Sequence, residues 1–158
     1  MDITKQLENK PDDKDYRFIV VLNKKIEVGK LFNALGHMTA GLAAELVDTD
    51  QMDFVDYVDA DGGYHKAISH FGFIVLKAKN SNQIRTLRNH YIENDFPFTD
   101  FTDTMTVGTS KEQLEKTIST KEEELEYFGI ATFGKTEDLA PFTKKYSCTH
   151  YRRGNSSL

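Results

Sequence analysis

The sequence predicts an α/β domain, three layers in αβα order around a mixed, mostly parallel central sheet. Three observations carry that expectation. The segments 16–22, 71–76 and 127–134 are apolar at nearly every position, as strands buried on both faces are. Segments with helical spacing of apolar residues alternate with them, which is the pattern of a layered sheet with helices on both sides. A length of 158 residues with 11 Phe and 7 Tyr suits one packed core rather than two.

Tyr16-Arg17-Phe18-Ile19-Val20-Val21-Leu22 opens the domain as a strand ended by Asn23-Lys24-Lys25. A helix over residues 28–46 follows, with Leu31, Leu35, Met38 and Leu42 in steps of three and four, and Phe32 and Leu46 widening the apolar face. In the acidic stretch 48–63, Phe54 to Val58 forms a short strand and Asp61-Gly62-Gly63 a turn. Phe71 to Leu76 is expected to pair with Phe54 to Val58 as a hairpin. Asn80 or Ser81 caps a helix with Ile84, Leu87, Tyr91 and Ile92 on its apolar face, and Pro97 closes that unit. Phe98 to Met105 reads as a strand edging into a loop. Ser110-Lys111-Glu112-Gln113 fits a capping box before a short, very polar helix. Tyr127 to Gly134 is a strand, and Thr136 caps a last helix to about Tyr146 that Pro141 weakens.

The domain is expected over 15–147, with flexible segments at 1–14 and 148–158. Cys148 is the single cysteine, so neither an intrachain disulfide nor a cysteine zinc site can form. The opening Met-Asp-Ile-Thr-Lys-Gln lacks a secretory signal's apolar segment, and no apolar run approaches the length of a membrane span. These features give the expectation of a cytoplasmic protein with no membrane partner. A net charge of −5 argues against gripping nucleic acid as the main task, although a local basic patch is compatible with it.

The first predicted helix carries a polar stripe. At about 100° per residue, Lys30, Asn33 and His37 fall within roughly 60° of one another, with Ala34 and Gly41 on the same side. One cation, one amide and one imidazole beside tiny side chains suit a polar ligand that approaches closely. The competing reading is the solvated face of an amphipathic helix. Lys30 sits in the first turn, where the helix dipole disfavours a cation and an anionic ligand would answer it. Asp103, near the end of a strand, is placed where α/β sheets bind ligands, and Asp100 is its rival. Either also reads as a turn-forming residue. Asp59-Ala60-Asp61-Gly62 resembles the start of a calcium loop, but Ser69 and His70 stand where its glutamate is required. Among His37, His65, His70, His90 and His150 there is no HExxH pattern, and the chain has no P-loop, dinucleotide fingerprint or nucleophile elbow. No metal and no cofactor are expected.

The stretch from Phe18-Ile19-Val20-Val21-Leu22 through Gly29-Lys30, Asn33 and His37 resembles the opening strand and first helix of type II peptidyl-tRNA hydrolases. Those enzymes have an apolar strand, a Gly-Lys pair opening a helix, and a histidine seven residues past the lysine. Pro97 followed by Asp103, and the strand Tyr127 to Gly134, extend the likeness over about residues 16–146. The chain departs from the pattern in three places. Glu27-Val28 stands where a second Gly-Lys is usual. Asp103 is followed by Thr104-Met105-Thr106-Val107 rather than Ala-Gly-Arg-Thr. Ala34 replaces a glutamine. The wording is closer to a set of small uncharacterised bacterial proteins that share this hydrolase-like fold.

The resemblance implies an esterase acting on aminoacyl or peptidyl esters of tRNA, or on a related small ester. Lys30, His37 and Asp103 are then catalytic. Lys30 holds a phosphate or the developing oxyanion, and His37 with Asp103 activates water. Gly29, Asn33, Thr104 and Thr106 contact the substrate. It also implies pairing into a homodimer. The alternative is a non-catalytic domain whose stripe binds a small anionic metabolite or a protein partner. Lys24, Lys25, Lys30, Arg85 and Arg88 are the candidate basic contacts for RNA.

Overall fold

The computed structural model describes residues 8, 10–45 and 49–148. It forms a main sheet of five strands and a separate two-stranded ribbon. β1 (Tyr16–Asn23) is central, and its last six residues, Phe18 to Asn23, are all buried. β4 (Gly72–Ala78) runs parallel to it, in the register Val20 to Val75. β6 (Tyr127–Lys135) lies antiparallel on the other side, Val20 facing Ala131. The edges are β5 (Phe98–Thr102), antiparallel to β6, and the two-residue β7 (Ser147–Cys148), antiparallel to β4.

The sheet is mixed, as expected, but not mostly parallel: β1 and β4 make its single parallel pair. The reason lies in the connections. A parallel neighbour requires a crossover element packed on the sheet. Helix α3 (Ser110–Ile118), between β5 and β6, buries none of its residues. It crosses no sheet face, so the chain returns as an antiparallel neighbour. The hairpin also differs from expectation. β2 (Phe54–Val58) pairs with β3 (Tyr64–Ser69), and the Phe71 segment enters the main sheet as β4. The turn chemistry is the expected one: Gly62 has φ +86°, and Asp59 Oδ1 accepts from the N–H groups of Asp61 (3.0 Å) and Gly63 (2.8 Å).

Alternation along β1 feeds two apolar clusters. Phe18, Val20 and Leu22 join Leu31, Ala34, Met38 and Leu42 of α1 (Val28–Glu45). Ile19 and Val21 join Ile84, Leu87 and Tyr91 of α2 (Ser81–Glu93) and Leu139 of α4 (Thr136–Thr143). Successive strand residues point to opposite faces, so α1 and the pair α2/α4 pack on opposite sides of β1. α1 leans toward β6 and β5. Gly129 of β6 permits the approach: a Cβ there would lie 2.7 Å from Met38 Cε and 2.9 Å from Leu22 Cδ2. Phe32, expected in the apolar face, is 66% exposed, and Leu46 lies outside the described residues.

Capping follows the expectation at α2, shifts by one residue at α3 and fails at α4. Asn80 caps α2, its Oδ1 accepting from Gln83 N–H. The box on α3 uses Thr109 with Glu112, one residue earlier than expected. Thr136 does not cap α4; its hydroxyl donates to Lys14 O and accepts from Arg17 Nε.

Candidate functional site

α1 starts where β1 ends, so its first turn lies at the carboxyl end of the parallel pair. The residue before it, Glu27, closes that first turn. Its Oε1 accepts from Gly29 N–H (2.7 Å) and its Oε2 from Lys30 N–H (3.2 Å). These bonds, with the charge of Lys30, hold its carboxyl below the usual range. The carboxylate lies flat against Gly29, where a Cβ would stand 3.2 Å from both oxygens.

An open cleft of about 890 Å³ runs along α1 from this point. One wall is the polar stripe: Gly29, Lys30, Asn33, His37 and Gly41. Thr99 and Phe101 of β5 line the cleft as well, and Met105 and Thr106 of the short 3-10 turn Asp103–Thr106, with Ser110 and Gln113 of α3, complete the lining. Strand alternation decides what β5 presents. Thr99 donates to Met38 O at 2.7 Å, and its methyl would be 3.3 Å from a Cβ at Gly41. Phe101 lies against the His37 ring at 5.7 Å between centroids and 28° between planes. Asp100, between them, turns to the other face and takes a 2.6 Å bond from Arg88 Nε. Burial works against the Arg88 charge, but the hydrogen bond and charge of Asp100 outweigh it and raise the guanidinium's pKa.

Five predicted residues therefore share one cleft: Gly29, Lys30, Asn33, His37 and Thr106. Two others stand elsewhere. Asp103 Oδ1 accepts from Glu126 N–H at 2.9 Å, and its own N–H donates to Glu126 O at 3.0 Å. This carboxylate ties the 3-10 turn to the start of β6. Thr104 is buried, its hydroxyl 2.9 Å from that of Thr102 and 2.8 Å from that of Thr117. Both residues shape the turn that carries Met105 and Thr106 to the cleft.

The candidate basic contacts do not converge. Arg85 bonds Glu122 Oε1 at 2.9 Å and Leu125 O at 2.8 Å and stacks over the Tyr127 ring. Arg88 is held by Asp100 over Phe98. Lys24, Lys25 and Lys30 stay exposed at the cleft end of the sheet. Asp59 spends its carboxylate on the hairpin turn and on His65, 3.2 Å away. Among the described residues no cluster of His, Cys, Asp and Glu is arranged to hold a metal ion.

Glu27, Phe101, Met105, Ser110 and Gln113 complete the site beyond what the sequence suggested. The stretch just before Gly29-Lys30 was the available signal for Glu27, since a carboxylate beside a first-turn lysine answers the helix dipole. The other four come from distant segments and only the packing unites them.

Fold and site together define a mixed α/β domain with a polar cleft beside its first helix. The chain belongs to the family described as protein of unknown function (DUF2000), whose model matches residues 16–150. A solved structure described as the protein of unknown function Atu0240, from Agrobacterium tumefaciens str. C58, is similar: TM-score 0.72 at 16% identity, covering 86% of this chain and 98% of that one. At that identity the likeness concerns the fold. No curated protein matches.

Proposed function

We propose that this protein binds a small, anion-bearing organic molecule in the cleft along α1. Lys30 pairs with the anionic group, and Asn33 and His37 orient the remainder. The observation that carries the reading is the presence of a cation, an amide and an imidazole on one wall of a single cavity of about 890 Å³, a size suited to a small molecule. Binding is favoured over catalysis because an imidazole acting as general base requires a partner that orients it. His37 rests on Phe101, while Asp103 spends Oδ1 on the Glu126 N–H.

The test is an amide chemical-shift titration with a panel of small carboxylates and phosphate esters. Shifts confined to residues 27–41 and 99–113 are expected, with about a two- to fivefold loss of affinity in Lys30→Ala, the value of an exposed ion pair. Shifts elsewhere, or indifference to Lys30→Ala, reject it.

A second reading is ester hydrolysis in a three-layer, peptidyl-tRNA hydrolase-like domain. It is favoured by the Lys30-to-His37 step and by Thr106 and Ser110 lining the same cleft. Turnover of peptidyl-tRNA that disappears in Lys30→Ala supports this reading, and absence of turnover removes it.

A further inference from the structure

The charge at the head of the cleft is a pair. Lys30 lines it, and so does Glu27 three residues earlier; the third charged lining residue, Asp100, points its carboxylate at Arg88. Two backbone N–H groups fix Glu27 and favour its ionised form. Each oxygen accepts one of these bonds, which leaves acceptor capacity on both. Glu27 thus fills the anion seat that the first turn of α1 would otherwise offer, and Gly29 gives it the room to do so.

A simple anion approaching Lys30 also enters the field of Glu27, which lines the same cleft, and like charge opposes it. A ligand with an ammonium and a carboxylate on one small frame matches both groups. Beyond this head the wall turns less polar, with Met38, Phe101 and Met105. Resting on the binding role proposed above, we infer that the ligand is a zwitterion of the α-amino-acid type. Its ammonium binds at Glu27, its carboxylate at Lys30, and an apolar side chain lies toward Phe101 and Met105. Glu27 is then the residue that sets specificity.

Three probes sharing one side chain isolate the head group: L-phenylalanine, 3-phenylpropionate without the amine, and phenethylamine without the carboxylate. Isothermal titration or shift mapping on the wild-type chain is expected to rank L-phenylalanine first, by about two- to fivefold over either analogue. Glu27→Gln erases the advantage over 3-phenylpropionate, and Lys30→Met erases the advantage over phenethylamine. Each comparison is made within one folded protein, so a change in stability does not affect the ratio. If 3-phenylpropionate binds in the cleft as tightly as L-phenylalanine and depends on Lys30, the zwitterion inference fails while the anion-binding role stands. If none of the three binds, the inference is overturned, and the panel of carboxylates and phosphate esters decides the role separately.

Discussion

Replacing Gly129 with alanine tests how the cleft helix is seated. The new Cβ would lie 2.7 Å from Met38 Cε, 2.9 Å from Leu22 Cδ2 and 3.2 Å from the Val21 carbonyl oxygen. The two side-chain ends can swing away, but the carbonyl belongs to the central strand and moves little. Overpacking of this kind costs about 1–3 kcal/mol. Met38 is 1% exposed, and Met38→Ala should cost about 2–5 kcal/mol through lost burial and the cavity left behind. In the double variant the methyl introduced by Gly129→Ala occupies part of the space that Met38 vacates. The two costs should therefore fall short of additivity by about 0.5–3 kcal/mol. Urea unfolding of the four proteins, read at constant m-value, measures the coupling. Additivity within about 0.5 kcal/mol would refute the claim that Gly129 exists to let α1 approach β6.

Three further outcomes follow from the packing. The Tyr91 hydroxyl is buried without a hydrogen-bond partner among the described residues, so Tyr91→Phe should be neutral or stabilising by up to about 1 kcal/mol in the same unfolding assay. Asp100→Asn keeps the shape of the contact with Arg88 but removes its charge; a loss of about 1–2 kcal/mol is expected, with ligand affinity in the cleft unchanged because that carboxylate faces away. Burial pushes Tyr127 and Tyr146 up to about 12, with the Glu122 hydrogen bond adding to the effect at Tyr127. Their neutral forms are favoured by the fold, so this contribution is complete below the ordinary tyrosine value of 10 and is lost as pH rises through 12. Ultraviolet titration of phenolate, followed alongside circular dichroism, should show the two ionising together with alkaline unfolding.

The elements that bury apolar residues with a clear period were legible. The continuous run from Phe18 to Leu22 became the central strand, and the spacing of Leu31, Met38 and Leu42 became the buried face of α1. Strand direction was missed although a signal existed: the polarity of Ser110 to Ile118 marks a helix that covers no sheet face. β3 was missed for a different reason. Tyr64-His65-Lys66-Ala67-Ile68-Ser69 leaves nearly all its side chains exposed, so it lacks the apolar run that reveals a buried strand. At the site, the stripe of Lys30, Asn33 and His37 could be read because helical spacing alone aligns it. The positions of Asp103 and Thr104 could not, because a 3-10 turn decides which of its side chains point inward.

The decisive experiment is a crystal structure of the protein soaked with L-phenylalanine. The amino acid is expected in the cleft beside α1, its carboxylate within hydrogen-bond reach of Lys30 Nζ and its ammonium against Glu27. A ligand bound elsewhere on the surface, or one in the cleft that touches neither Lys30 nor Glu27, would contradict that placement.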